Sequence, residues 1–84
     1  MIEYIKGQVT DVNPTYVVIE AAGVGYAINI ALPTYSELVS KEGQEGRLYI
    51  TEIIREDAHE LYGFFSKGER ELFVMLMTVS GIGA

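Results

Sequence analysis

The stretch Ile53-Ile54-Arg55-Glu56-Asp57-Ala58-His59-Glu60-Leu61-Tyr62-Gly63-Phe64 decides how the rest of the chain is read. Two β-competent runs rich in Ile, Leu, Tyr and Phe flank a polar insert, Arg55 to Ala58, which is the pattern of a hairpin whose tip stays in water. The tip is charged: Glu56 and Asp57 stand side by side, and Arg55 is the only adjacent cation.

Upstream of the hairpin, Arg47 to Ile54 reads as its first strand. Leu48, Ile50 and Ile54 lie on one face and Tyr49, Thr51 and Ile53 on the other, so both faces expect cover. Ser40 to Gly46 is a polar loop. Before it, Pro33 to Val39 reads as a short helix, with Pro near its start and Leu38 and Val39 as apolar anchors. Tyr26, Ile28, Ile30 and Leu32 line one face of a further strand whose other face, Ala27, Asn29 and Ala31, is small enough for a neighbouring layer or a second subunit. Gly23 and Gly25 supply positive φ in the preceding link. Tyr16 to Glu20 is a strand, Asn13-Pro14-Thr15 a turn, and Ile2 to Val12 a first strand in which Gly7 marks a bend or bulge. Five short strands with a small helix between the third and fourth match the order of an OB-fold, a mainly β, partly open Greek-key barrel.

Downstream, the hydrophobic period changes at Phe65-Ser66. Ser66-Lys67-Gly68-Glu69 is a capping box, and Leu72, Met75, Leu76 and Val79 fall at i, i+3, i+4 and i+7, with Phe73 and Met77 widening the stripe. Gly81 and Ile82 stand where a Schellman cap ends a helix. A broad apolar helix followed only by a Gly-Ile-Gly turn reads as a domain cut at a boundary. The expectation is a barrel over 1–65, an incomplete second unit over 66–84, and a longer protein beyond.

Composition bounds the chemistry. With 84 residues the chain holds one small domain, burying roughly 60–65% of its unfolded surface. It has no cysteine, which rules out disulfides and thiolate metal sites and suits a reducing cytoplasm. No apolar run approaches the ~20 residues that span a bilayer, and Met1-Ile2-Glu3-Tyr4 is not the basic start of a signal peptide. The net charge of −6 argues against a general phosphate-binding surface. All of that excess lies in residues 1–65, where ten acids face Lys6, Lys41, Arg47 and Arg55; residues 66–84 are neutral. No Gly-x-x-x-x-Gly-Lys loop is present. The adjacent exposed carboxylates have no desolvation and no histidine at a useful spacing, so no catalytic residue is assigned. His59, the only histidine, reads as structural, and no metal or cofactor is expected. Tyr26 and Tyr62 alternate with core residues and read as core.

Arg55-Glu56-Asp57-Ala58 followed by Leu61-Tyr62-Gly63-Phe64, then Glu69-Arg70-Glu71-Leu72-Phe73 and Ser80-Gly81-Ile82-Gly83, resembles the N-terminal part of the RuvA family, DNA-binding subunits of bacterial Holliday-junction branch-migration complexes. The resemblance covers essentially the whole chain. It implies a non-motor subunit of an ATP-dependent helicase complex, acting in recombination, DNA repair and the SOS response. Its partners would be four-way junction DNA, further copies of itself in a homotetramer or octamer, the hexameric ATPase RuvB docked through a C-terminal domain absent here, and the resolvase RuvC. Glu56 and Asp57 would form the family's acidic pin, repelling phosphates at the crossover, with Arg55 either bracing the pin or holding a phosphate. Gly81, Ile82 and Gly83 would form the hairpin of a first helix-hairpin-helix motif that cradles a phosphate through backbone N–H groups. The match departs at Ala84, where the family usually has Pro. Lys6 matches a basic position of the first strand and is a further phosphate contact to test. Two other readings remain: an oligomerisation module that binds no DNA, and a generic single-strand-binding OB-fold.

Overall fold

The structure, a computed structural model, describes residues 1–80, with side chains to residue 77. Five strands close into a barrel: β1 (Tyr4–Val12), β2 (Tyr16–Ala21), β3 (Val24–Asn29), β4 (Glu45–Ile54) and β5 (His59–Phe64). Round the barrel the order is β1-β2-β3-β5-β4, with β4 returning to β1. Every pairing is antiparallel except the β3–β5 seam, which is parallel and rests on one residue pair, Asn29 with Tyr62. The Asn29 side-chain amide adds to that seam by donating to the Leu61 carbonyl at 3.1 Å. Helix α1 (Leu32–Leu38) and a short 3-10 turn (Val39–Lys41) link β3 to β4, and helix α2 (Lys67–Ser80) follows β5.

Alternation in the strands builds the core. Val9, Val17, Ile19, Ile28, Leu48 and Ile50 point inward and are fully buried, and Leu38 of α1 joins them. Each such side chain contributes about 1.5–3 kcal/mol of transfer free energy. Strand β1 serves both sides of the barrel, pairing with β4 from Tyr4 to Gln8 and with β2 from Gln8 to Val12. The expected bend falls at this change of partner. A Cβ on Gly7 would overlap the Glu20 carbonyl oxygen, so only glycine lets β1 cross there. The register irregularity lies just beyond, between Val9 and Asp11.

Several boundaries differ from expectation, each for a physical reason. β1 begins at Tyr4 because the Ile2 N–H is taken by the Glu52 carboxylate at 2.7 Å instead of by a neighbouring strand. Leu32 is the first residue of α1 and is exposed, since Pro33 suits the first turn of a helix and ends the strand before it. Of the two anchors foreseen for α1, Leu38 is buried and Val39 is half exposed. Ile54 is 69% exposed, because the hairpin has left the core by that point. The β2–β3 turn takes its positive φ at Ala22 (53°) and Gly23 (81°), while Gly25 pairs with Glu20 inside the ladder.

The capping box forms as read: the Glu69 N–H donates to Ser66 Oγ at 3.2 Å and the Ser66 N–H to Glu69 Oε1 at 3.1 Å. The docking face of α2 differs from the expected stripe. Phe73 stacks on Tyr62 (5.8 Å between centroids) and packs against Phe64 (5.0 Å), while Arg70 is buried; Leu72, Met75 and Leu76 are all more than half exposed. The helix covers the outer face of the β4–β5 hairpin with the row Arg70 and Phe73.

Candidate nucleic-acid interface

The β4–β5 ladder runs from Tyr49 opposite Phe64 to Ile54 opposite His59. Arg55 and Ala58 close it: the Arg55 N–H donates to the Ala58 carbonyl at 2.7 Å, and the Ala58 N–H returns to the Arg55 carbonyl at 3.5 Å. That leaves Glu56 and Asp57 as a two-residue tip, and both are exposed. Among the described residues no ion pair joins Arg55 to either carboxylate. The tip therefore presents two negative charges at the end of a ladder braced on its outer face by α2. Two unit charges ~6 Å apart at an effective dielectric of ~20 interact by roughly 2–3 kcal/mol, so a phosphate brought to this tip is repelled appreciably.

At the base of the tip one carboxylate ties three segments together. Glu52 Oε1 accepts from the Ile2 N–H at 2.7 Å, and Glu52 Oε2 lies 3.0 Å from His59 Nε2. The Ile2 N–H, then the His59 hydrogen bond, hold the Glu52 carboxyl below its ordinary pKa. His59 is thus an anchor of the hairpin. No cluster of three metal-ligating side chains includes it among the described residues.

Lys6 lies on the outer face of β1, exposed, with its Nζ 3.9 Å from Glu45. Its cross-strand neighbour is Arg47, and the next pair along the same face is Tyr4 with Tyr49. The Arg47 guanidinium stands 4.7 Å over the Tyr4 ring, Tyr4 meets Tyr49 edge-on at 6.3 Å, and Arg70 lies 5.8 Å over Tyr49. Two rings thus stand between two guanidiniums, one from the sheet surface and one from α2. Sequence reasoning missed this stack because Tyr4, Arg47 and Arg70 come from three distant segments. The available signal was Arg70 three residues before Phe73, which put a charged side chain in the helix's docking row. Gly81, Ile82 and Gly83 lie outside the described residues.

A closed five-stranded barrel with a helix between β3 and β4 is an OB-fold, a class whose loops between strands 1–2 and 4–5 commonly flank an oligonucleotide. The family profile described as RuvA N terminal domain matches residues 1–63, and the chain belongs to that family. Relatives named Holliday junction branch migration complex subunit RuvA include those of Parabacteroides distasonis (53% identical) and Porphyromonas gingivalis (55% identical); each alignment covers 99% of this chain. The relative of Lactococcus lactis is 45% identical over a similar span. The chain spans 41% and 40% of the first two relatives' lengths.

Proposed function

We propose that this chain is the barrel of a subunit that binds four-way DNA junctions and holds them open for branch migration by a partner ATPase of the RuvB type. The observation that carries the reading is the exposed, internally unneutralised Glu56–Asp57 tip in a member of the RuvA family. Several copies arranged around one axis, as in a tetramer, would bring their tips to the crossover. There the carboxylates disfavour stacked duplex and favour separated strands, while attraction to the arms comes from phosphate contacts beside and beyond the tip. Arg55, exposed beside the pin, takes part in none of the ion pairs among the described residues and is proposed as a phosphate contact at the pin's rim. Lys6 is a second proposed contact, and the Gly81-Ile82-Gly83 hairpin a third in the full-length protein. No described helix is long and apolar enough to cross a membrane, and a cytoplasmic location accords with DNA as the ligand.

The net charge of −6 favours a second reading, an oligomerisation module without its own DNA affinity. Gel-shift titration of a four-way junction, a duplex and a single strand at one salt concentration, with mass by light scattering, separates the two. The full-length protein is expected to prefer the junction as a multimer. Equal affinity for junction and duplex would overturn the reading.

A further inference from the structure

Two open clefts share Ile2 and Tyr26 in their walls. One, of 390 Å³, is lined by Tyr16, Tyr26, Asn29, His59 and Glu60 among others, and opens where β3 and β5 diverge from their single pair. The other, of 440 Å³, continues past Tyr26 to Tyr4 and Lys6. Both volumes lie in the range of ligand sites. Together they make a groove that starts beside His59, at the foot of the acidic tip, and ends at Lys6, whose cross-strand neighbour is Arg47.

We infer that this groove holds a short unpaired stretch of a DNA strand released at the tip. The inference rests on the junction reading above and extends it to a site for the separated bases. Three tyrosines, Tyr16, Tyr26 and Tyr4, are spaced along the groove. Tyr16 and Tyr4 are more than a third exposed, as stacking platforms for bases must be. At the far end Lys6 and Arg47 are placed directly opposite on one sheet face, a pairing of like charges that is unfavourable without an anion. In a chain of net charge −6, Glu45 near Lys6 offsets this only from 3.9 Å and while exposed. A phosphate between Lys6 and Arg47 answers that charge, and Arg47 already stacks on Tyr4 in the geometry a nucleotide would extend. The polarity is also consistent: the tip repels phosphates at one end and the cation pair receives one at the other, so a strand is led along the groove. Glu52 acts as a positioning residue, since it fixes Ile2 and His59, one in the shared wall and one at the entrance.

The test uses this chain with a hexathymidylate, an abasic sugar–phosphate oligomer of equal length, and amide-shift mapping by NMR. Thymidylate is expected to shift Tyr4, Lys6, Tyr16 and Tyr26 and to bind more tightly than the abasic oligomer. Tyr16→Leu and Tyr4→Leu should each weaken binding about tenfold, and Tyr16→Phe should restore it, as stacking requires. Lys6→Gln with Arg47→Gln should lower the salt slope by about 0.7, for the one phosphate no longer neutralised. These substitutions are on exposed side chains, so the folded state persists and weaker binding reports the groove itself. Equal affinity for the abasic oligomer, shifts confined to other surfaces, or no binding overturns the groove. Loss of the groove with junction preference intact in the full-length protein refutes this inference alone. Loss of junction preference with oligomer binding intact refutes the junction reading and leaves a single-strand-binding barrel.

Discussion

Glu3 and Arg70, 67 positions apart, meet twice: Arg70 Nη1 donates to the Glu3 main-chain carbonyl at 2.9 Å, and Nη2 to the Glu3 carboxylate at 3.1 Å. Arg70 also reaches Glu71 at 2.7 Å and lies over Tyr49, so one guanidinium fastens α2 to the segment leading into β1 and to β4. Lysine would not serve, because the planar fork is what allows several donors to be used at once. Arg70→Met keeps the length and removes the donors. It is expected to cost about 1–2 kcal/mol, with amide exchange accelerating in α2 before the barrel, as read by hydrogen exchange. An unchanged exchange pattern in α2 would contradict the clamp.

Acid stability follows from two carboxylates. The Arg70 hydrogen bond, helped by the charges of Arg70 and Lys67, holds Glu3 below its ordinary value of 4.5, and Glu52 is held down by Ile2 and His59. Since the folded pKa of each is depressed, the unfolded chain binds protons first as pH falls. Their stabilisation is complete above the unfolded value of 4.5 and is lost as pH drops through the folded values. Thermal melts across that window should show the midpoint falling on the acid side, and Glu3→Gln with Glu52→Gln should flatten that limb. An acid limb of the same slope in the double variant would assign the loss to other groups.

The β2–β3 turn holds an alanine at φ 53°, a left-handed conformation that costs an L-residue roughly 1 kcal/mol, followed by Gly23 at 81°. Two successive positive φ values suit Asn-Gly best. Ala22→Asn should therefore raise stability by about 0.5–1 kcal/mol, several degrees in a domain of this size. Differential scanning calorimetry reads it directly, and a lower midpoint would refute the turn geometry.

Gly7→Ala makes the opposite prediction. The added methyl meets the main chain at Glu20 and Ala21, where no rotamer change relieves it. The loss should exceed the ~1–3 kcal/mol usual for overpacking, because the crossing of β1 must open. Urea denaturation measures this, and a variant as stable as the parent would place the strand crossing elsewhere.

The barrel was legible because strand alternation is local. Val17, Ile19, Ile28, Leu48 and Ile50 announce inward faces by their spacing alone, and Ser66 with Glu69 announces the helix start. The face of α2 was not legible from apolar periodicity. The counted stripe favoured Leu72 and Met75 over Arg70, yet a buried arginine with a carboxylate and a carbonyl to bond docks beside Phe73, the one ring the widened stripe did include. The charged tip was visible as adjacent acids, whereas the groove was not. Tyr26 alternates with core residues and packs against them, but it also walls a cleft, which exists because β3 and β5 share a single pair. That gap arises from barrel closure, which no one segment encodes.

The junction reading stands on the negative charge of Glu56 and Asp57 working against the strands at a crossover. Neutralising that charge in the full-length protein, with Glu56→Gln and Asp57→Asn together, probes it on a junction carrying a fluorescent base analogue beside the crossover. The neutral tip should bind the junction about three- to tenfold more tightly at low salt, with the gain shrinking as salt rises, and should leave the reporter base more stacked. Unchanged affinity together with an unchanged reporter signal would contradict it.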